Sequence, residues 1–223
     1  MNKKLLIAMS VFAFSLAAKA ASQTSTATES AQGSNQNFLK PYVGVSSFNI
    51  DGIADDFSSK GGFVVGAAYL MPTPGQNLAV EAGLEFLQAG AQREYVWVSS
   101  GGTAIKQELN LTYLAIPVKA RYQIFQQPYS TVNYSAIGGV TVAHMLSAKS
   151  KTETFGVSDE TDMTSDFNTT DVMASIGFGA ETEMFAGKAN LDIEYTRGFL
   201  DVTKDGGGHN SGFVVKAGYS LQL

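Results

Sequence analysis

From Phe38 to Leu223 apolar side chains fall on every second residue, and the positions between them are small or polar. A period of two is the mark of a strand with two unlike faces. The pattern predicts about eight such segments. Lys40 to Asn49 sets Val43 and Val45 against Tyr42, Gly44 and Ser46, and Gly62 to Met71 presents Phe63, Val65, Ala67 and Tyr69 on one face. Asn77 to Gln88 opposes Leu78, Val80, Ala82, Leu84 and Phe86 to Ala79, Glu81, Gly83 and Glu85. In Glu108 to Ile124, Leu114, Ile116, Val118, Ala120 and Tyr122 alternate with Tyr113, Ala115, Pro117, Lys119 and Arg121. Val132 to Leu146, Asp171 to Phe185, Ala189 to Leu200 and Ser211 to Leu223 repeat the scheme.

The predicted links alternate in length. Those near Pro72 to Gln76, Phe125 to Thr131 and Ala186 to Lys188 are short, and those near Ile50 to Lys60, Arg93 to Gln107, Ser147 to Thr170 and Asp201 to Asn210 are long. An even number of strands with short turns on one side and long loops on the other is the plan of an up-and-down barrel in a bacterial outer membrane. Both chain ends then fall on the short-turn side. The predicted fold is all-β, an eight-stranded antiparallel transmembrane barrel over residues 38–223.

A sheet in lipid must close, because an open edge strands its N–H and C=O groups. Closure turns the apolar set to lipid and the alternate set inward. The inward set is predicted to include Glu81, Glu85, Lys119, Arg121, Glu181, Glu183, Asp192, Glu194 and Lys216, with both signs present for pairing. Side chains fill a barrel of this size, so no wide pore is expected. The same alternation turned inside out would give a soluble, lipocalin-like periplasmic barrel around an apolar ligand.

The chain ends sharpen the choice. Met1 to Lys4 is basic, Leu5 to Ala17 is apolar, and Ala18-Lys19-Ala20 supplies small residues at the two positions that a signal peptidase reads. This predicts a secretory signal over 1–20. Residues 21–37 are polar and of low complexity and read as a flexible leader. At the other end, the spacing of Lys216, Gly218, Leu221 and Leu223 resembles the C-terminal signal of bacterial outer-membrane β-barrels, which in that family is read by the insertion machinery, and the apolar ending leaves a face for lipid to cover.

Composition excludes several classes. No Cys occurs, so neither a disulfide framework nor an N-terminal lipid-modified cysteine is available. The net charge of −5 becomes more negative once Lys3, Lys4 and Lys19 leave with the signal, which argues against nucleic-acid binding. Abundant Gly (23) and scarce Pro (5) suit twisted strands joined by turns.

At Tyr113-Leu114-Ala115-Ile116-Pro117-Val118-Lys119-Ala120-Arg121-Tyr122 the chain resembles the small outer-membrane β-barrel or "porin family" group, which often carries a Tyr-Leu-x-Ile-Pro strand in mid-barrel. Asp171 to Glu183 and Tyr195 to Phe199 resemble its later strands. The resemblance implies an OmpA-like barrel in a Gram-negative outer membrane, with lipid and lipopolysaccharide around it, and no reaction and no cofactor. The expected role is structural or surface-interacting through the loops, as a monomer, with a narrow solute channel as the alternative.

Candidate chemistry is sparse. His144 shares the lipid-side parity of Val140 and Val142, while His209 follows three glycines in a loop that holds a catalytic base poorly. A rim-located lipid-modifying enzyme would need that histidine. Asp51, Asp55 and Asp56, and Asp159, Glu160, Asp162 and Asp166, cluster in long loops without a calcium-loop pattern and read as solvated charge. Tyr95 and Trp97 are read as girdle or adhesive loop, and Tyr113 as girdle.

Overall fold

The computed structural model describes residues 36–52, 57–74, 77–97, 103–125, 131–154 and 156–223. The predicted signal peptide and the leader up to residue 35 lie outside them, as do Asp55 and Asp56 of the first acidic loop. Nine strands follow in order: β1 Phe38–Asp51, β2 Ser58–Pro72, β3 Leu78–Trp97, β4 Thr103–Phe125, β5 Val132–Thr154, β6 Val157–Asp162, β7 Thr170–Met184, β8 Gly187–Gly198 and β9 His209–Gln222. All pairings are antiparallel. Eight strands close a ring in the order β1-β2-β3-β4-β5-β7-β8-β9, with β1 returning to β9 through pairs such as Val45↔Val215. The sixth strand stands outside the ring and pairs with the far end of β5.

The outer surface carries the predicted apolar set. Val43, Val45, Leu84, Ile116, Ile176, Phe178, Ile193 and Phe213 are all exposed, and Phe63 stacks on Phe86 at 5.6 Å. Alternation puts these residues outside because their neighbours point into a lumen too narrow to hold both sets. Tyr69, Tyr122 and Tyr134 are exposed at the short-turn end, where an aromatic girdle meets the membrane interface.

Two of the predicted long loops are mostly strand. β4 and β5 each run for 23 residues, twice what a tilted strand needs to cross a bilayer, about 9–11. Beyond the apolar band β3, β4, β5 and β6 continue as a four-stranded sheet, in which Gln92, Glu108, Lys151 and Glu160 stand abreast. The next row along holds Glu94, Lys106, Glu153 and Ser158. Polar side chains with opposite charges on neighbouring strands pair well in water, so a hydrophobicity pattern alone reads this stretch as loop.

The lumen has two storeys. Its short-turn half is polar. Its long-loop half is apolar, packed with Phe48, Ile50, Val64, Leu87, Leu111 and Met173 and covered by Phe167 and Val202 from the loops above. The sequence reading anticipated the polar storey only.

Candidate functional site

Four cations and four carboxylates fill the lower lumen. Lys40 Nζ donates to Glu81 Oε2 at 2.6 Å and to Asp192 Oδ2 at 3.1 Å. Arg121 Nη2 donates to the same two oxygens at 3.3 and 2.7 Å, and its Nη1 reaches Ser135 Oγ at 3.0 Å. One step nearer the outside, Lys119 Nζ donates to Glu194 Oε2 at 2.5 Å and Lys216 Nζ to Glu85 Oε2 at 2.8 Å. Tyr42 adds its hydroxyl to Glu85 at 2.8 Å, and Lys216 lies 3.8 Å from Glu194. All eight charged side chains are buried. Buried charge is tolerable only when paired, and here the signs balance.

Gly179 makes room for the larger members. A Cβ there would overlap Arg121 Nη1 and lie 2.5 Å from Asp192 Oδ1. Glycine is therefore required by contact, not by backbone angle.

Two predicted members stand apart from this group. Glu181 is half-buried and accepts from Lys188 Nζ at 2.9 Å near the short-turn opening. Glu183 is a correction. It is exposed, because β7 has by then left the ring's interior and leads into the turn at Met184↔Gly187. Lys40 is a member that the sequence reading passed over. It shares the parity of Tyr42, Gly44 and Ser46, so the signal was present at the first residue of the predicted segment.

Above the ion pairs, Asn210 Nδ2 donates to Tyr113 Oη at 3.0 Å and to Asp171 Oδ2 at 2.8 Å. Tyr113 is 1% exposed, so its assignment to the girdle is overturned. It has the same parity as Lys119 and Arg121, and a tyrosine inside a lumen can bury its ring while its hydroxyl meets a partner. Tyr95 lies on the projecting sheet beneath the Arg93 guanidinium, 5.3 Å away. The side chain of Trp97 lies outside the described residues.

The loop after β8 is better held than its three glycines indicated. Gly206, Gly207 and Gly208 take positive φ, from 81° to 93°. Thr203 Oγ1 donates to the carbonyls of Gly206 and Gly207, and the Gly207 N–H donates to Asp201 Oδ1 at 3.2 Å. His209 opens β9 with Nδ1 3.1 Å from Leu200 O, and its Nε2 is 3.9 Å from Asp201 Oδ1. His144 is exposed on the lipid-side parity. Asp159, Glu160 and Asp162 belong to β6, where Lys149 pairs with Glu160 at 2.6 Å. Among the described residues no group of three or more potential metal ligands occurs.

Outside the bilayer, the carboxyl of Glu108 is strongly perturbed. Hydrogen bonds from Lys106 and Lys60, both at 2.8 Å, hold its pKa down to about 2.

At the C-terminal strand, Lys216 and Gly218 face the lumen, Gly218 beside Asn190, and Leu221 and Leu223 are exposed outside.

Cavities lie at both ends of the lumen. One of about 130 Å³ opens at the short-turn end beside Arg121, Glu181 and Lys188. A second, of about 320 Å³, lies in the long-loop mouth. The ion pairs and the apolar storey stand between them.

A closed ring with an apolar exterior and a neutralised, filled interior defines a transmembrane β-barrel. The chain belongs to the outer membrane protein beta-barrel domain family, whose model matches residues 22–204, and its place is the cell outer membrane. No curated protein matches in sequence. Among solved structures, the chain is similar to the attachment invasion locus protein Ail of Yersinia pestis, at 15% identity and a TM-score of 0.41, over 84% of this chain and 99% of that one. It is similar also to Neisserial surface protein A, at 12% identity and a TM-score of 0.46, over 84% and 97% of the two chains. The outer membrane protein OprG from Pseudomonas aeruginosa matches at 13% identity and a TM-score of 0.39, over 84% and 96%.

Proposed function

We propose that this barrel acts at the cell surface through its projecting sheet, with the lumen serving as a scaffold and not as a path for solutes. The observation that carries the reading is the extension of β3, β4, β5 and β6 beyond the apolar band. These strands lift rows of alternating charge clear of the membrane on a hydrogen-bonded support. A conduction role would need a water-filled path, and four buried cations paired with four buried carboxylates, with an apolar storey above them, oppose one. The outward Leu221 and Leu223, with inward Lys216 and Gly218, serve in this reading as the signal for insertion.

The test replaces residues 92–108 and 149–162 by short turns and compares trimmed and full-length protein. Whole cells carrying each form are assayed for adhesion to a panel of immobilised glycans and matrix proteins, and purified protein is assayed for conductance in planar bilayers. Loss of adhesion on trimming, with no stepwise conductance from either form, supports the proposal. Stepwise conductance from the full-length barrel would replace it with the narrow-channel reading.

A further inference from the structure

We infer that the cavity in the outer mouth is a binding site for a small molecule with an apolar body and a protonated amine. The inference is independent of the surface role proposed above. At about 320 Å³ the cavity lies at the small end of the range for small-molecule sites, roughly 300–1,000 Å³. Its floor is made by Ile50, Ala91 and Leu109, which are buried, and its apolar walls by Phe57, Met163 and Phe167. Apolar side chains gathered around a hollow bind an apolar body because its surface leaves water there.

The walls are fixed before any ligand arrives. Phe167 bridges Thr203, and Asn168 Nδ2 donates to the carbonyls of Asp201 and Thr203 at 2.8 and 2.9 Å. Lys204 N–H donates to Asp166 O at 3.0 Å, and Lys204 Nζ to Ser165 O at 2.5 Å. These bonds tie the segment before β7 to the loop after β8, so little ordering entropy is left for binding to overcome.

Charge selects the head group. Asp166 and Asp205 both line the opening. Neither Lys204, whose Nζ donates to Ser165 O, nor Arg93, which donates to Gln107 Oε1 at 2.8 Å and lies 4.9 Å from the Phe57 ring, lines the cavity. A carboxylate or phosphate head would meet two like charges, whereas an ammonium would find two acceptors. The site therefore fits an amine-bearing amphiphile and rejects a fatty acid.

The experiment uses full-length protein in phosphatidylcholine nanodiscs, with ¹³C-methyl methionine labelling and octylammonium, octanol and octanoate as probes. Met163 reports on the cavity, while Met71 and Met184 on the barrel wall report on partition into lipid. The Met163 resonance is expected to shift saturably with octylammonium and about tenfold more weakly with octanol. It should not shift with octanoate. Ala91→Phe, which fills the floor, should abolish the Met163 shift and leave Met71 and Met184 unchanged. Should Ala91→Phe fail to fold, the pair Asp166→Asn and Asp205→Asn decides, by lowering octylammonium affinity to that of octanol. An unsaturable Met163 shift, or one that survives Ala91→Phe in folded protein, overturns the site. Equal binding of octanoate and octylammonium overturns the ligand class.

Discussion

Lys216 on the last strand and Glu85 on the third meet across the lumen with Nζ 2.8 Å from Oε2, although β1 and β2 separate their strands in the ring. This contact ties strands three apart in the ring together across the lumen. Glu85→Gln would leave the Lys216 charge with only Glu194, 3.8 Å away. Breaking a buried pair at one end costs about 3–5 kcal/mol, because the remaining charge is left without compensation. Adding Lys216→Met to Glu85→Gln should restore most of that loss, since both charges are then gone. The folded fraction against urea, read as heat-modifiable mobility in SDS gels, measures both variants. A double variant no more stable than Glu85→Gln alone would refute the assignment.

Gly179→Ala and Gly138→Ala should behave differently although both place a methyl group on a ring strand. At Gly179 the new Cβ overlaps Arg121 Nη1, and the guanidinium must leave Asp192 and Ser135 to avoid it. At Gly138, on the lipid side, the nearest atom is Ser175 O at 3.9 Å. The first variant is expected to lose about 2–4 kcal/mol through the broken pair, and the second to stay within about 0.5 kcal/mol. The same urea titration distinguishes them.

The projecting sheet should loosen in acid before the barrel does. Glu108 is held ionised by Lys106 and Lys60, its pKa lowered from 4.5 to about 2. A lowered folded pKa stabilises the sheet fully above about pH 4.5, and that contribution fades as pH falls toward 2. Amide protection factors at Gln92, Arg93, Lys106 and Gln107, taken against the intrinsic exchange rate at each pH, are expected to fall across that window. In Glu108→Gln protection there should already be lower at pH 7 and should lose most of its pH dependence between 4.5 and 2. Unchanged protection in that variant would show that the ion pairs do not hold the sheet.

The ring was legible in the sequence because lipid on one side and a narrow lumen on the other impose a strict period of two. That logic placed Ile176, Phe178 and Ile193 outside and Glu85, Arg121 and Asp192 inside. It could not show which cation would meet which carboxylate, since Lys40 and Asp192 are 152 residues apart and meet only through closure. It misplaced Tyr113 because aromatic character was weighed above parity, and Glu183 because parity was carried past the end of the ring. The mouth cavity was illegible for a different reason. Its walls come from Phe57, Met163 and Phe167 in connections, whose positions follow no period.

The outer side of the ring meets lipid. Ile176 lies at the middle of β7, 68% exposed, level with Gly138 and Tyr195 on the neighbouring strands. Arginine at such a midplane position costs about 2–4 kcal/mol in a membrane barrel, because the charge must be carried into hydrocarbon. Were the outer face in water, the same change would cost almost nothing, as exposed surface positions tolerate substitution. Ile176→Arg should therefore lower the urea midpoint of protein folded in phosphatidylcholine vesicles, while Ile176→Leu should not. The cost should shrink at Phe199, also exposed but beyond the end of β8 toward the interface. A midpoint unmoved by Ile176→Arg would mean that the outer face is not in lipid. A graded loss from Phe199 to Ile176 would trace the depth of the bilayer along the wall.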